Sequence, residues 1–146
     1  LTYNISSPVA DVVSVSADFQ ATTDGTTNLT YSGQSGVQLT TGASIAFGAL
    51  GNLSSVDNAA SSANGGFAIL HVPTNSIGGG VTTIKVQHSA DDTTYADLIT
   101  FSTVAASTKT SELKAVSGTV NRYIRATAST AGSSGAITFM LSFARF

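Results

Sequence analysis

His71 and His88 are the two histidines of this 146-residue chain, and with Asp91, Asp92 and Asp97 they are the side chains whose types could do chemistry. A zinc site takes three or four ligands, mostly His and Cys. The chain has no cysteine, and no Asp or Glu falls at a spacing that would complete a site around the histidine pair. Both histidines therefore read as structural side chains, buried or half-buried on separate strands that are neighbours in one sheet. Nucleophilic catalysis fares no better. Serine is plentiful, but no Gly-x-Ser-x-Gly elbow occurs and neither histidine lies on a loop. Asp91, Asp92 and Asp97 do not follow the Asp-x-Asp-x-Asp-Gly spacing of a calcium loop. Short acidic side chains can instead bond their own backbone and make a turn. The expectation is a protein with no catalytic residue, no metal and no cofactor, and not an enzyme.

Contact chemistry is better supplied. Arg122, Tyr123 and Arg125 lie close together, and Arg with Tyr is enriched where surfaces bury each other. Strand alternation would put Arg122 on the face opposite Tyr123 and Arg125. Asp57 and Asn58 sit in a long stretch without strand signal, Gly51 to Gly66, which reads as a long loop or a short helix capped by Ser55. Pro8 closes a polar lead-in, residues 1–8, read as an extended arm, because proline lacks the amide that a central strand needs. These six residues are the candidate subunit contacts.

The composition agrees with association. Six Lys and Arg stand against eight Asp and Glu, a formal charge of -2, and only 10% of residues are charged while 42% are hydrophobic. A weakly charged, hydroxyl-rich surface repels its own copies poorly, so a homo-oligomer is expected. No basic stripe is present to hold phosphates, which argues against nucleic-acid binding. No run approaches 18 apolar residues, and the amino terminus lacks a basic region followed by an apolar core, so neither a membrane span nor a signal peptide is expected.

The elements that must position these residues are strands. Ile84, Val86 and His88 alternate with Lys85, Gln87 and Ser89, the second arm carries Leu98, Ile99 and Phe101 from Tyr95 onward, and the polar run Ser89 to Thr94 turns between them. Other segments read as strands packing on this hairpin. Val13, Val15, Ala17 and Phe19 alternate with polar residues, and the turn Thr22 to Gly25 leads into a strand from Thr26 to Tyr31. Ser32 to Gly36 breaks the chain before Val37 and Leu39, and Ala43 to Leu50 resumes period two. Phe67 to Val72 is apolar on both faces except at His71, as in a covered central strand ended by Pro73. Gly78 to Gly80 reads as a flexible link, Leu113 to Val116 as an edge strand, and Arg122 to Thr127 as a further strand. Ile137, Phe139, Leu141 and Phe143 give the cleanest alternation, so the last strand should be tied into a sheet. With no confident helix the fold class is all-β, a single-domain antiparallel β-sandwich over 9–146.

The carboxyl half also carries a resemblance. Phe67 to Val72, Lys85 to Leu98, Gly118 to Arg125 and Phe139 to Arg145, in that order, resemble a module of the major tail proteins of tailed bacteriophages and related virion proteins, over about residues 65 to 146. In that family the hairpin turn often reads Ala-Asp-Gly and is followed by Trp; here Asp92 and Tyr95 stand instead. The resemblance implies a β-sandwich that assembles into a virion inside a bacterial host cytoplasm. Its partners would be copies of itself and other virion proteins. As a tail-tube subunit it would form stacked rings through which DNA passes without specific binding. As a capsid decoration protein it would clamp the shell. A third reading, a carbohydrate- or receptor-binding sandwich, would need an exposed aromatic platform among Tyr3, Tyr31, Tyr95 and Tyr123.

Overall fold

A computed structural model of the chain describes residues 29–31, 34–40 and 42–146. The arm with Pro8, the strand expected around Val13 to Phe19 and the turn at Thr22 to Gly25 lie outside these residues. Eleven strands are described: β1 (Leu29–Tyr31), β2 (Gln34–Gln38), β3 (Ser44–Ala46), β4 (Val56–Asp57), β5 (Gly66–Asn75), β6 (Val81–Ser89), β7 (Ala96–Thr100), β8 (Val104–Ala105), β9 (Thr110–Val116), β10 (Tyr123–Thr130) and β11 (Ala136–Arg145). They form two antiparallel sheets. The first has the order β1-β2-β11-β5-β9, with β3 also on β11; the second has the order β4-β10-β6-β7, with β8 also on β6.

The strong alternations close the sandwich. Ile137, Phe139, Leu141 and Phe143 of β11 meet Ala68, Leu70 and Val72 of β5 in one layer, and Ile84 and Val86 of β6 with Ile124, Ala126 and Ala128 of β10 form the other, all at most 2% exposed. Taking a side chain of Leu, Ile or Phe size out of water contributes about 1.5–3 kcal/mol, so these four strands dominate the stability. The carboxyl end is tied down as expected: the Phe146 N–H donates to Gly65 O at 3.1 Å.

The 83–101 hairpin forms as β6 and β7, with an irregularity that alternation alone does not show. Val86 pairs Ile99 and Gln87 pairs Asp97, so Leu98 is an extra residue in β7. Asp97 and Ile99 would share a face in a regular strand; the bulge sends Ile99 into the core, 5% exposed, and leaves Asp97 on the outer surface. Asp91 builds the turn, its Oδ1 accepting the N–H groups of Thr93 (2.9 Å) and Thr94 (2.8 Å). Asp92 takes φ 59°, the left-handed conformation that Gly would supply in the resembling turn.

Several expectations are corrected. Gln34 to Gly36 does not break the chain but belongs to β2, which pairs with β1 from Leu29↔Gly36 to Tyr31↔Gln34. The strand expected over Ala43 to Leu50 is shorter; after Ala46 the chain turns into one 3-10 turn, Phe47–Ala49. Pro73 does not end β5, which runs on to Asn75. Pairing with β9 stops at Val72↔Thr110, and the β11 register skips between Thr138 and Met140, so the missing amide of Pro73 falls at a bulge where no ladder bond is lost. The 51–66 stretch contains no helix: β4 pairs β10, and bridges tie Asn52 to Thr127 of that strand and Ser62 to Val120 just before it. Nor is Gly78 to Gly80 a flexible link. Gly78 bridges Ser134, and a Cβ on Gly80 would stand 2.6 Å from the Ala131 carbonyl carbon.

Candidate interaction face

The outward residues of the second sheet make one connected polar surface. Because antiparallel pairing sets residues directly opposite each other, Arg125 of β10 faces Gln87 of β6, and Gln87 faces Asp97 of β7. Arg125 donates from Nε (3.0 Å) and Nη2 (2.9 Å) to Gln87 Oε1. The amide's other end, Gln87 Nε2, donates to Asp97 Oδ1 at 2.8 Å, and Lys85 Nζ donates to Asp97 Oδ2 at 2.6 Å. The Lys85 and Gln87 donors hold the Asp97 carboxyl below the usual carboxylate range. The arrangement satisfies both ends of the amide, which only one orientation of Gln87 permits.

Two aromatic rings are set into this row. The Arg125 guanidinium stands 3.6 Å from the centre of the Tyr95 ring, and the Tyr95 hydroxyl donates to Asp92. That bond, followed by one from Ser55, lowers the Asp92 carboxyl, while burial and then Asp92 raise the Tyr95 hydroxyl. On the other side Arg122 lies over Tyr123, 5.0 Å from guanidinium carbon to ring centre. Arg122 also grips Asp57 with two parallel bonds, Nε to Oδ1 and Nη2 to Oδ2, both 2.6 Å. This fork matches the carboxylate geometry and, with the Ala59 N–H, draws the Asp57 carboxyl down to about 2. Asn58 N–H donates to Arg122 O at 3.1 Å and Asn58 Nδ2 to the same carbonyl at 3.2 Å.

Behind the face, Arg145 at the end of β11 crosses to the second sheet. Its guanidinium donates to the carbonyls of Ala60, of Asn121 at 2.5 Å and of Arg122 at 3.3 Å, so it pins the β4 loop and the entry to β10 together. His88 sits beside this clamp and accepts the Asn121 N–H through Nδ1 at 3.1 Å. Burial first, and the Arg145 charge second, lower the His88 pKa.

Of the residues expected to make contacts, Asp57, Asn58, Arg122, Tyr123 and Arg125 come together, and Pro8 lies outside the described residues. The expected split of Arg122 from Tyr123 is corrected: β10 begins at Tyr123, so Arg122 is free of strand alternation and folds back over its neighbour's ring. Lys85, Gln87, Tyr95 and Asp97 were missed as members of the face, although the alternation of β6 already placed Lys85 and Gln87 outward. Arg145 had no local signal. The histidines are not neighbours in one sheet: His71 is on β5 of the first sheet and His88 on β6 of the second. His71 Nδ1 lies 2.6 Å from Ser111 Oγ. Among the described residues no three of His, Asp and Glu converge as a metal site would require.

No family model matches the chain. No curated protein matches it either. Among solved structures, a similarity is found to the structure of infectious bursal disease virus Gx strain, at 16% identity and a TM-score of 0.34, covering 82% of this chain and 30% of that one. The chain spans about a third of the length of that neighbour. At this depth the likeness decides no family, and the functional reading rests on the chain's own surface.

Proposed function

We propose that this protein is a structural subunit of a virion, assembling with copies of itself through the outer face of the second sheet. The observation that carries the reading is the ordered row Asp57, Arg122, Tyr123, Arg125 and Tyr95, in which each guanidinium is already stacked on a ring and bonded to an acceptor. Arg and Tyr are the residues that most often dominate contact energies, and side chains ordered before contact lose less entropy on binding. The weak net charge lowers the repulsion between copies. In this reading the chain is a mechanical part, not an enzyme, and works without a cofactor; its site is the particle and its assembly takes place in a bacterial cytoplasm.

The finer reading is a tail-tube subunit that forms stacked rings, whose lumen, poor in Lys and Arg, would hold few phosphates as DNA passes. Its rival is a capsid decoration protein, which would form small closed oligomers where a tube needs contacts that propagate. A carbohydrate platform is disfavoured by the guanidinium that already covers the Tyr95 ring. Negative-stain electron microscopy of the purified protein tests the reading: hollow tubes support the tube, and discrete oligomers that bind expanded capsids move the assignment to decoration. A chain that stays monomeric at high concentration and binds no capsid would overturn both.

A further inference from the structure

We infer that β9 is a pairing edge for a second copy of this chain, joined antiparallel about a twofold axis through Leu113. Strand β9 closes the first sheet and pairs with β5 alone among the described strands. No backbone group of Thr110–Val116 has a further hydrogen bond among the described residues. Such an edge is an open template, which proteins commonly guard with charges pointing toward the core side. Here the guards are Glu112 and Lys114, which lie opposite the buried Leu70 and Ala68 of β5 and bond each other at 3.1 Å. Leu113, on the outer face between them, is 43% exposed.

Both charges are also tied to their own chain, Glu112 accepting the Ser102 N–H at 2.8 Å and Lys114 donating to Thr100 O at 2.8 Å, so they stand at fixed places beside any strand laid on this edge. A copy of the same strand, antiparallel and centred on Leu113, sets Glu112 against the partner's Lys114 and Lys114 against the partner's Glu112. Leu113 then meets its own copy, Ser111 meets Ala115, and Thr110 meets Val116. Centring on Glu112 or on Lys114 instead would oppose like charges, which destabilises a cross-strand pair. The charges that guard the edge therefore also select its partner and register. Opposed residues in such a pair have Cα atoms about 4.5–5.5 Å apart. The seam closes after two copies, so larger assemblies would still need the second-sheet face. It rests on the proposed function only in taking the chain to self-associate.

The test exploits the absence of native cysteine. Under oxidation with copper phenanthroline, Leu113→Cys should convert most of the protein to a disulfide-linked dimer, since the opposed Cα distance suits a disulfide, while Ser111→Cys alone should not. Native mass spectrometry should show dimer dissociation rising at least tenfold in Glu112→Lys and again in Lys114→Glu, with the double swap restoring it and circular dichroism confirming that each variant folds. No cross-link at Leu113, equal cross-linking at Ser111, or a double swap that fails to recover would each overturn the seam. Loss of tubes or closed oligomers in Arg125→Ala with the Leu113 cross-link retained would test the second-sheet face separately.

Discussion

Arg125 and Tyr95 form a stacked pair, the guanidinium 3.6 Å from the ring centre, while the same guanidinium holds Gln87 across the β6–β10 ladder with two bonds. One side chain thus orders an aromatic ring at the end of the hairpin and the middle of the polar row. Much of the chemistry of the face depends on this one residue.

Arg125→Ala should unstack Tyr95 and strand the Gln87 carbonyl oxygen. A cation–π contact at a partly exposed site is worth about 0.5–1 kcal/mol, so urea unfolding should show a loss of this order. Assembly should be hit harder, with larger particles absent by electron microscopy. Arg125→Lys should rescue little, because an ammonium cannot present the planar fork.

The Asp57–Arg122 pair predicts an acid limit. The Arg122 fork and the Ala59 N–H hold the Asp57 carboxyl down to about 2 in the folded protein, below the ordinary carboxylate range. A depressed carboxylate contributes stability that is complete above the unfolded value and lost as pH falls through the folded one. The β4 contact should therefore persist at pH 4 and be released towards pH 2, seen as hydrogen exchange at Asn58 and Ala60. Asp57→Asn should abolish that pH dependence.

His88 acts at milder pH. Its folded pKa lies below 6.5, so the unfolded chain binds a proton more readily, and stability is full above 6.5 and declines as pH falls below it. Protonation would also cost the acceptor of the Asn121 N–H and set a second cation beside Arg145. The thermal midpoint of the protein should fall between pH 7 and 5.5, and His88→Gln should flatten that slope.

Two glycines at φ 90° make a controlled comparison. A Cβ at Gly118 meets nothing within 4 Å, whereas at Gly135 it would stand 2.1 Å from Ser76 O. Gly118→Ala should cost about 1–2 kcal/mol for the left-handed conformation alone. Gly135→Ala should cost clearly more, because it must also displace the Ser76 backbone where the Ser76 N–H donates to Ala136 O at 2.8 Å. Thermal melts of the two variants decide the matter.

Phe139→Ala tests the core. The ring is fully buried in β11, and truncating such a side chain costs about 3–5 kcal/mol. A smaller loss by urea denaturation would mean that the surrounding strands collapse into the space.

The sequence by itself determined the class and the strands with strong alternation. Ile137 to Phe143, Ile84 with Val86, and Ile124 with Ala126 are buried as their period requires, because which face a side chain takes in a regular strand is a local property of the pleat. The polar turn of Asp91 was legible for the same local reason. The tertiary structure alone decided what sits opposite what. The extra residue Leu98 turns Asp97 outward, an unpaired stretch around Val56 becomes a strand only because β10 offers it an edge, and Arg145 clamps the carbonyls of Asn121 and Arg122 from the other sheet. Asp57 and Arg122 are 65 residues apart, and His71 and His88, close in sequence, end in different sheets. Such pairings follow from which apolar faces bury each other and from where bulges shift the register, and neither quantity is contained in any short stretch of the chain.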